Sequence, residues 1–274
     1  MEEPIQQLVT RSQEQYFGKY RGLVVDNQDP ENRARVTLRV PGVLGSEMVT
    51  HWAEPCLPFG GLADQGLFMV PEIGAQVWVE FEAGNVNKPI WTGTMWQQSA
   101  DVPSEAAGRS PDMRELKTPS GHILSFDDTD GEEEFRLYHP AGSEMKVDPE
   151  GVVQITDAAG ATLVMNASGS SVEISDSNGN TLVMDATGTT VTDSSGNRIV
   201  MEASGVKVSS SAMVTVEGSM VNLGGSGGEP LIKGASFLSL FATHMHTSTL
   251  PGAPTSPPIP QGEFSTLSST SMVK

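Results

Sequence analysis

The chain has 274 residues and is short of cysteine, of basic residues and, over much of its length, of aromatics. A single cysteine, Cys56, excludes an intrachain disulfide. Its apolar setting, Ala53-Glu-Pro-Cys-Leu57, predicts a buried, inert thiol rather than a nucleophile. Sixteen Lys and Arg stand against 34 Asp and Glu, a formal net charge of −18. Phosphates demand Lys and Arg, so this balance argues against nucleic acid and anionic membrane surfaces as partners. The acidity reads as solubility. There is no run of eighteen apolar residues, and no basic start leads into an apolar core at the N-terminus. A membrane span and a cleaved secretory signal are therefore not expected. Gly-x-Ser-x-Gly, a phosphate loop and His-Glu-x-x-His are all missing, and no catalytic constellation emerges.

From Ala141 to Ser236 there is no Phe, Tyr or Trp, whereas all four Trp lie before residue 97. A globular core normally draws much of its buried area from aromatics. What fills the stretch instead is a repeat. Gly160-Ala-Thr-Leu-Val-Met165 recurs as Gly179-Asn-Thr-Leu-Val-Met184 and as Gly196-Asn-Arg-Ile-Val-Met201, with a weaker copy at Gly142-Ser-Glu-Met-Lys-Val147. The glycines step by 18, 19 and 17 residues. A second apolar segment follows each full copy: Val172-Glu-Ile174, Val191-Thr192 and Val206-Lys-Val208. Val, Ile, Leu, Met and Thr at strand spacing, broken by Gly, Asn, Asp and Ser, predict short strands and tight turns. Stacked units of this kind cannot each bury an apolar face alone. A rod this thin has little apolar area to offset chain entropy, so several copies are expected to wind together.

Five segments follow from composition. Residues 1–15 form an N-terminal arm, read as a short helix, a docking arm or a disordered end. Residues 16–100 carry strand-like runs at Gly18–Val25, Arg33–Val40, His51–Glu54, Gly66–Val70, Gln76–Glu82 and Pro89–Met95. Short strands with Gly turns fit a small Greek-key barrel such as an OB-fold. Residues 101–119 are a linker, rich in Pro and polar residues. Residues 120–234 begin with a hairpin of Ile123–Phe126 and Phe135–Tyr138 and continue into the repeat as a shaft. The acidic turn Asp127–Gly131 lacks the ligand pattern of an EF-hand, so a plain Asp-Gly turn is preferred to a calcium site. Gly224–Glu229, although near a calcium-binding nonapeptide, lacks its Asp and tandem copies and is read as a tapering turn. Residues 235–274 form a tip: Ala235–Ala242 as a short helix or plug, then Thr243-His-Met-His246, the Pro-rich Pro251–Pro260, and a closing Phe264–Val273. His244 and His246, at i and i+2 on an extended chain, point the same way. In one chain they make a poor metal site.

A family resemblance rests on particular residues. Arg35-Val-Thr-Leu-Arg-Val-Pro41, Trp52-Ala53, Pro71-Glu-Ile-Gly-Ala-Gln-Val-Trp-Val-Glu-Phe81 and Gly84-Asn-Val-Asn-Lys-Pro-Ile-Trp-Thr-Gly93 follow in that order. This series resembles the OB-fold of the baseplate assembly protein V family of phages and the spikes of type VI secretion and extracellular injection systems. Ser120-Gly-His and Asp127-Asp-Thr resemble the start of the shaft in the same family.

The resemblance implies an all-β fold. The OB domain would lead into a homotrimeric, intertwined β-helix or β-prism shaft with a tapered tip. It implies a non-enzymatic central spike that punctures a cell envelope and nucleates hub and baseplate assembly. A trimeric surface adhesin or receptor-binding fibre is the alternative. Some phage spikes carry a peptidoglycan-cleaving domain between barrel and shaft; the linker here is too short for one. Only a short arm precedes the barrel, so the tail hub is expected to be a separate protein. A tip or effector protein is a further expected partner, and nucleic acid is not. The expected location is a virion tail or extracellular injection particle, with synthesis in the bacterial cytoplasm. In a trimer, His244 and His246 would supply six imidazole nitrogens. That shell suits one octahedral iron at the apex, or nickel, better than tetrahedral zinc; the remaining alternative is no metal.

Overall fold

The computed structural model describes residues 15–223, 229–243, 245–246, 251–252 and 267–273. Outside them lie residues 1–14 of the arm, 224–228 of the tapering turn, His244, 247–250, 253–266 and 274. Most of the Pro-rich segment and the start of the closing segment fall there. The chain divides into two compact units after Pro140.

The first unit opens with five strands: β1 (Tyr20–Asp26), β2 (Thr37–Arg39), β3 (Glu54–Pro55), β4 (Gln76–Phe81) and β5 (Pro89–Thr94). They lie in the order β2-β1-β4-β5-β3. In β4 the alternation Gln-Val-Trp-Val-Glu-Phe turns Val77, Val79 and Phe81 inward. These three pack with Val24, Val36, Leu38, Val40, Ala53 and Trp91 into one core. Gly22 is required where β1 crosses β4, since a Cβ there would stand 2.6 Å from a Val79 methyl. The Trp91 indole N–H donates to the Ala34 carbonyl at 3.0 Å, satisfying the one polar atom of a buried ring. The loop from β1 to β2 is organised by Asp29, which is buried. Its carboxylate accepts the backbone N–H groups of Glu31, Arg33 and Arg35 and pairs with the Arg35 guanidinium at 2.6 Å. The Arg35 pairing holds the Asp29 carboxyl far below the usual range, against the opposing effect of burial.

Two expectations fail in this unit. Gly66–Val70 is an irregular exposed loop, with Phe68 68% exposed. Its apolar run looked like a strand, but its only regular bond is Leu67 N–H to the Phe59 carbonyl. Cys56 is exposed, not buried. The extended alternation through β3 sends Ala53 and Leu57 inward, so Cys56 faces solvent although its neighbours are apolar.

Three more strands complete the unit: β6 (Met113–Lys117), β7 (Ile123–Asp127) and β8 (Glu134–Tyr138), an antiparallel meander. β6 falls inside the segment read as linker. Pro111 and Pro119 flank it, and its Met-Arg-Glu-Leu-Lys sequence is charged, which hid the strand. The preceding segment is tied to this sheet by the Lys117–Glu105 and Arg109–Asp127 ion pairs. Asp127 also accepts the backbone N–H and hydroxyl of Thr129. The acidic turn thus spends its first carboxylate on structure.

The second unit is dominated by eight strands in sequence order: β9 (Glu144–Val147), β10 (Val153–Thr156), β11 (Thr162–Asn166), β12 (Ser171–Ser175), β13 (Thr181–Asp185), β14 (Gly188–Thr192), β15 (Arg198–Glu202) and β16 (Gly205–Ser209). Each pairs antiparallel with its neighbours in the chain. The repeat's period is therefore two strands and two turns. One turn of each period is Asp-x-x-Gly-x. In Asp176-Ser-Asn-Gly-Asn180 the carboxylate accepts the N–H groups of Asn178 and Asn180, both at 2.9 Å, and Gly179 N–H returns to the Asp176 carbonyl. Asp157–Ala161 and Asp193–Asn197 repeat this arrangement. The Gly at the fourth position has φ of +90° at Gly179 and +84° at Gly196, the left-handed region a three-residue hairpin loop needs.

After the meander come β17 (Val221–Asn222), β18 (Glu229–Ile232), a helix at Gly234–Thr243, and β19 (Leu267–Val273). β19 lies between the other two, parallel to β17 and antiparallel to β18. The C-terminal strand thus returns to the segment that follows the repeat.

Candidate functional site

The feature that calls for a partner is one face of the β9–β16 meander. Register places Met145, Ile155, Leu163, Ile174, Leu182, Val191, Ile199 and Val208 in a single row across all eight strands. A second row on the same face runs Val147, Val153, Met165, Val172, Met184, Thr189, Met201 and Val206. Every position but Thr189 is apolar. The opposite face is more polar. One of its rows reads Glu144, Thr156, Thr162, Ser175, Thr181, Thr192, Arg198 and Ser209, with Thr162 and Ser175 hydroxyls 2.7 Å apart. A row of mixed character, with Val164, Val183 and Val200 between Glu173, Thr190 and Lys207, completes it.

Within a single chain the apolar face is left open. Ile174 is 44% exposed, Val191 and Ile199 42%, and Val206 70%. A contiguous apolar surface of this kind marks an interaction site, not an ordinary solvated face. A slip of one residue in any strand would turn its apolar side chains to the polar face, so register must be pinned. The Asp turns pin it. Asn180 Nδ2 donates to the Asp176 carboxylate at 2.6 Å, and its Oδ1 accepts the Ser194 backbone N–H of the next Asp turn at 3.0 Å. Asn197 clamps Asp193 in the same way at 2.6 Å. The Asn180 side chain, then its backbone N–H, lower the Asp176 pKa to about 2. Asp193 is lowered first by the Asn197 side chain, and Asp185 first by the Thr187 hydroxyl. The Asn clamps were missed from sequence, although the recurring Asp-x-x-Gly-Asn was there to signal them.

Of the two tip histidines, His246 is exposed and follows the Gly234–Thr243 helix; His244 lies outside the described residues. Among the described residues no group of three or more His, Cys, Asp and Glu is placed to hold a metal ion. Nor, among them, is any helix long and apolar enough to cross a membrane.

Comparison with known proteins agrees with the architecture of the first unit. Residues 20–96 match the family described as the type VI secretion system/phage-baseplate injector OB domain. The chain is also 37% identical over 83 residues to the pre-baseplate central spike protein Gp5 of Enterobacteria phage T4. That match covers 25% of this chain and 14% of Gp5, so it spans a small part of its relative. Residues 20–96, folded as a five-stranded sheet, are thus similar to the OB domain of phage-baseplate and type VI secretion injectors, and part of the chain is similar to a phage baseplate central spike protein.

Proposed function

We propose that the chain is the non-enzymatic central spike of a contractile phage tail or injection machine, working as a homotrimer that punctures a target envelope. One observation carries the reading: a face that is apolar at every position but Thr189 across eight strands, partly exposed throughout and two-fifths or more exposed at Met165, Ile174, Val191, Ile199 and Met201. Three copies would close their apolar faces on a shared interior, leaving the opposite, more polar face to water. Such a shaft needs no aromatic core, because its width is a few side chains.

The mechanism is mechanical. Contraction drives a tube, and a narrow stiff point at its front concentrates force on the membrane. The OB domain would join the shaft to a tail hub, in keeping with its match to the phage-baseplate injector OB domain. At the far end the apex would carry a tip or effector protein, or end bare. His244 and His246 from three chains would hold one ion there, iron by preference. The donor chemistry fits, since six imidazoles make an octahedral shell, and His246 is solvent-accessible. The ion would tie three chain ends together. The particle location follows from the same reading: a virion tail or injection apparatus. Co-purification tests it. The reading expects the chain to bind a hub protein from its own gene neighbourhood as a trimer; a stable monomer with no hub affinity would overturn it.

A further inference from the structure

A second pair of histidines lies far from the tip in sequence. His122 precedes β7 and His139 follows β8, one step beyond the last paired residues, Ile123 and Tyr138. They therefore stand directly opposite each other on neighbouring antiparallel strands. Their ring centroids are 4.7 Å apart, with the planes 76° to one another. Both residues are exposed.

The backbone at His122 is fixed. Its N–H donates to the Thr118 hydroxyl at 3.0 Å, and its carbonyl accepts the Thr118 N–H at 2.9 Å. Its ring is fixed too. Nδ1 lies 3.0 Å from the Ser120 hydroxyl and 3.2 Å from the Thr118 hydroxyl. Hydroxyls on one ring nitrogen hold the ring and orient the other nitrogen, which is how outer-shell groups prepare imidazoles that bind metal. The spacing suits a shared ion. With metal–nitrogen bonds of about 2.0–2.1 Å and angles at the ion of about 90–110°, two coordinated rings have centroids about 4.5–5.2 Å apart. The observed separation lies in that range, and with the His122 ring held, a turn of the His139 ring about χ2, a soft torsion in His, aims its nitrogen without moving the backbone.

The geometry points to a two-histidine site for a borderline divalent ion, Cu²⁺, Ni²⁺ or Zn²⁺, formed by His122 and His139 with water completing the shell. The ion would clip the open ends of β7 and β8 where the chain leaves for the repeat. The site is independent of the tip histidines and of the spike reading.

Calorimetric titration of the full chain with CuCl₂, the tightest binder of the series, tests it. His122→Asn and His139→Asn should each remove one bound equivalent per chain, and the double variant should remove no more than either alone. Thr118→Val with Ser120→Ala should keep that equivalent but weaken it about tenfold or more, because both imidazoles remain and only their orientation is lost. Circular dichroism checks that each variant is folded. Unchanged stoichiometry in both single variants overturns the proposal, as does a double variant that loses two equivalents. Full affinity after removal of both hydroxyls would overturn the assigned role of Thr118 and Ser120.

Discussion

Replacing Ile174 by Asp places a carboxylate in the middle of the apolar row. Full burial of an Ile side chain is worth roughly 1.5–3 kcal/mol. Ile174 is 44% exposed in one chain, so in the proposed trimer the partner copies would cover about that share. The share is roughly 0.7–1.3 kcal/mol per chain, or about 2–4 kcal/mol per trimer. Loss of that term is the smaller part. Three carboxylates on a shared interior would each carry a desolvation penalty of several kcal/mol, and no cation lies in the row to pair them. The total is on the order of 10 kcal/mol or more against assembly, and each 1.4 kcal/mol is about a factor of ten in affinity. Sedimentation velocity at micromolar protein should show the trimer lost. The control is Thr190→Asp, on the nearby β14 strand but on the polar face, which should sediment as the parent does. Trimeric Ile174→Asp protein would refute the argument, and so would equal disruption by both variants.

Other expectations are open to the same kind of check. The Asp176 pKa near 2 lies below its unfolded value near 4, so the clamp stabilises the fold above about pH 4 and is lost on descent toward pH 2; thermal melts across that window should show the loss, and Asp176→Asn should flatten it. Glu115 behaves oppositely. Its carboxylate oxygens are buried without a partner, and burial first, then Glu105, raise its pKa. Its stabilising effect is greatest when protonated and falls as pH rises through the folded pKa, so Glu115→Gln should raise the melting temperature at pH 7; a lower one would show that the charge is satisfied. Leu38→Ala empties a fully buried site and should cost about 2–5 kcal/mol. Tryptophan fluorescence during urea unfolding reads this in the OB domain alone, because all four Trp lie in residues 52–96. Gly22→Ala should destabilise the same domain through the contact with Val79, and an unchanged urea midpoint would mean that β1 can shift away.

The strands of both units were legible wherever alternation was clean. Gln76–Phe81 shows the period of two that a half-buried strand imposes, the Leu-Val-Met segments recur at a nearly fixed step, and the Asp and Gly of the turns stand at fixed offsets. β6 was missed because its outward side chains are charged and Pro lies close on both sides. Leu67-Phe68-Met69-Val70 was over-read because apolar content alone does not supply a pairing strand. Cys56 was placed on the wrong side because composition carries no phase, and only the register of β3 against β5 decides which neighbours turn inward. The apolar face needed the same phase information. Eight separate alternations merge into one surface only when Ile174 is known to stand beside Leu163 and Leu182. The His122–His139 pair is of the same kind, since residues 17 apart become opposite only through the β7–β8 register.

Native mass spectrometry of the purified chain, diluted stepwise, bears most directly on the shared interior. Three copies of a 29.1 kDa chain give a particle of about 87 kDa. The account predicts that mass, persisting on dilution and collapsing only when the sheet unfolds. A folded species at 29.1 kDa, with the Ile174 row open to water, would contradict it.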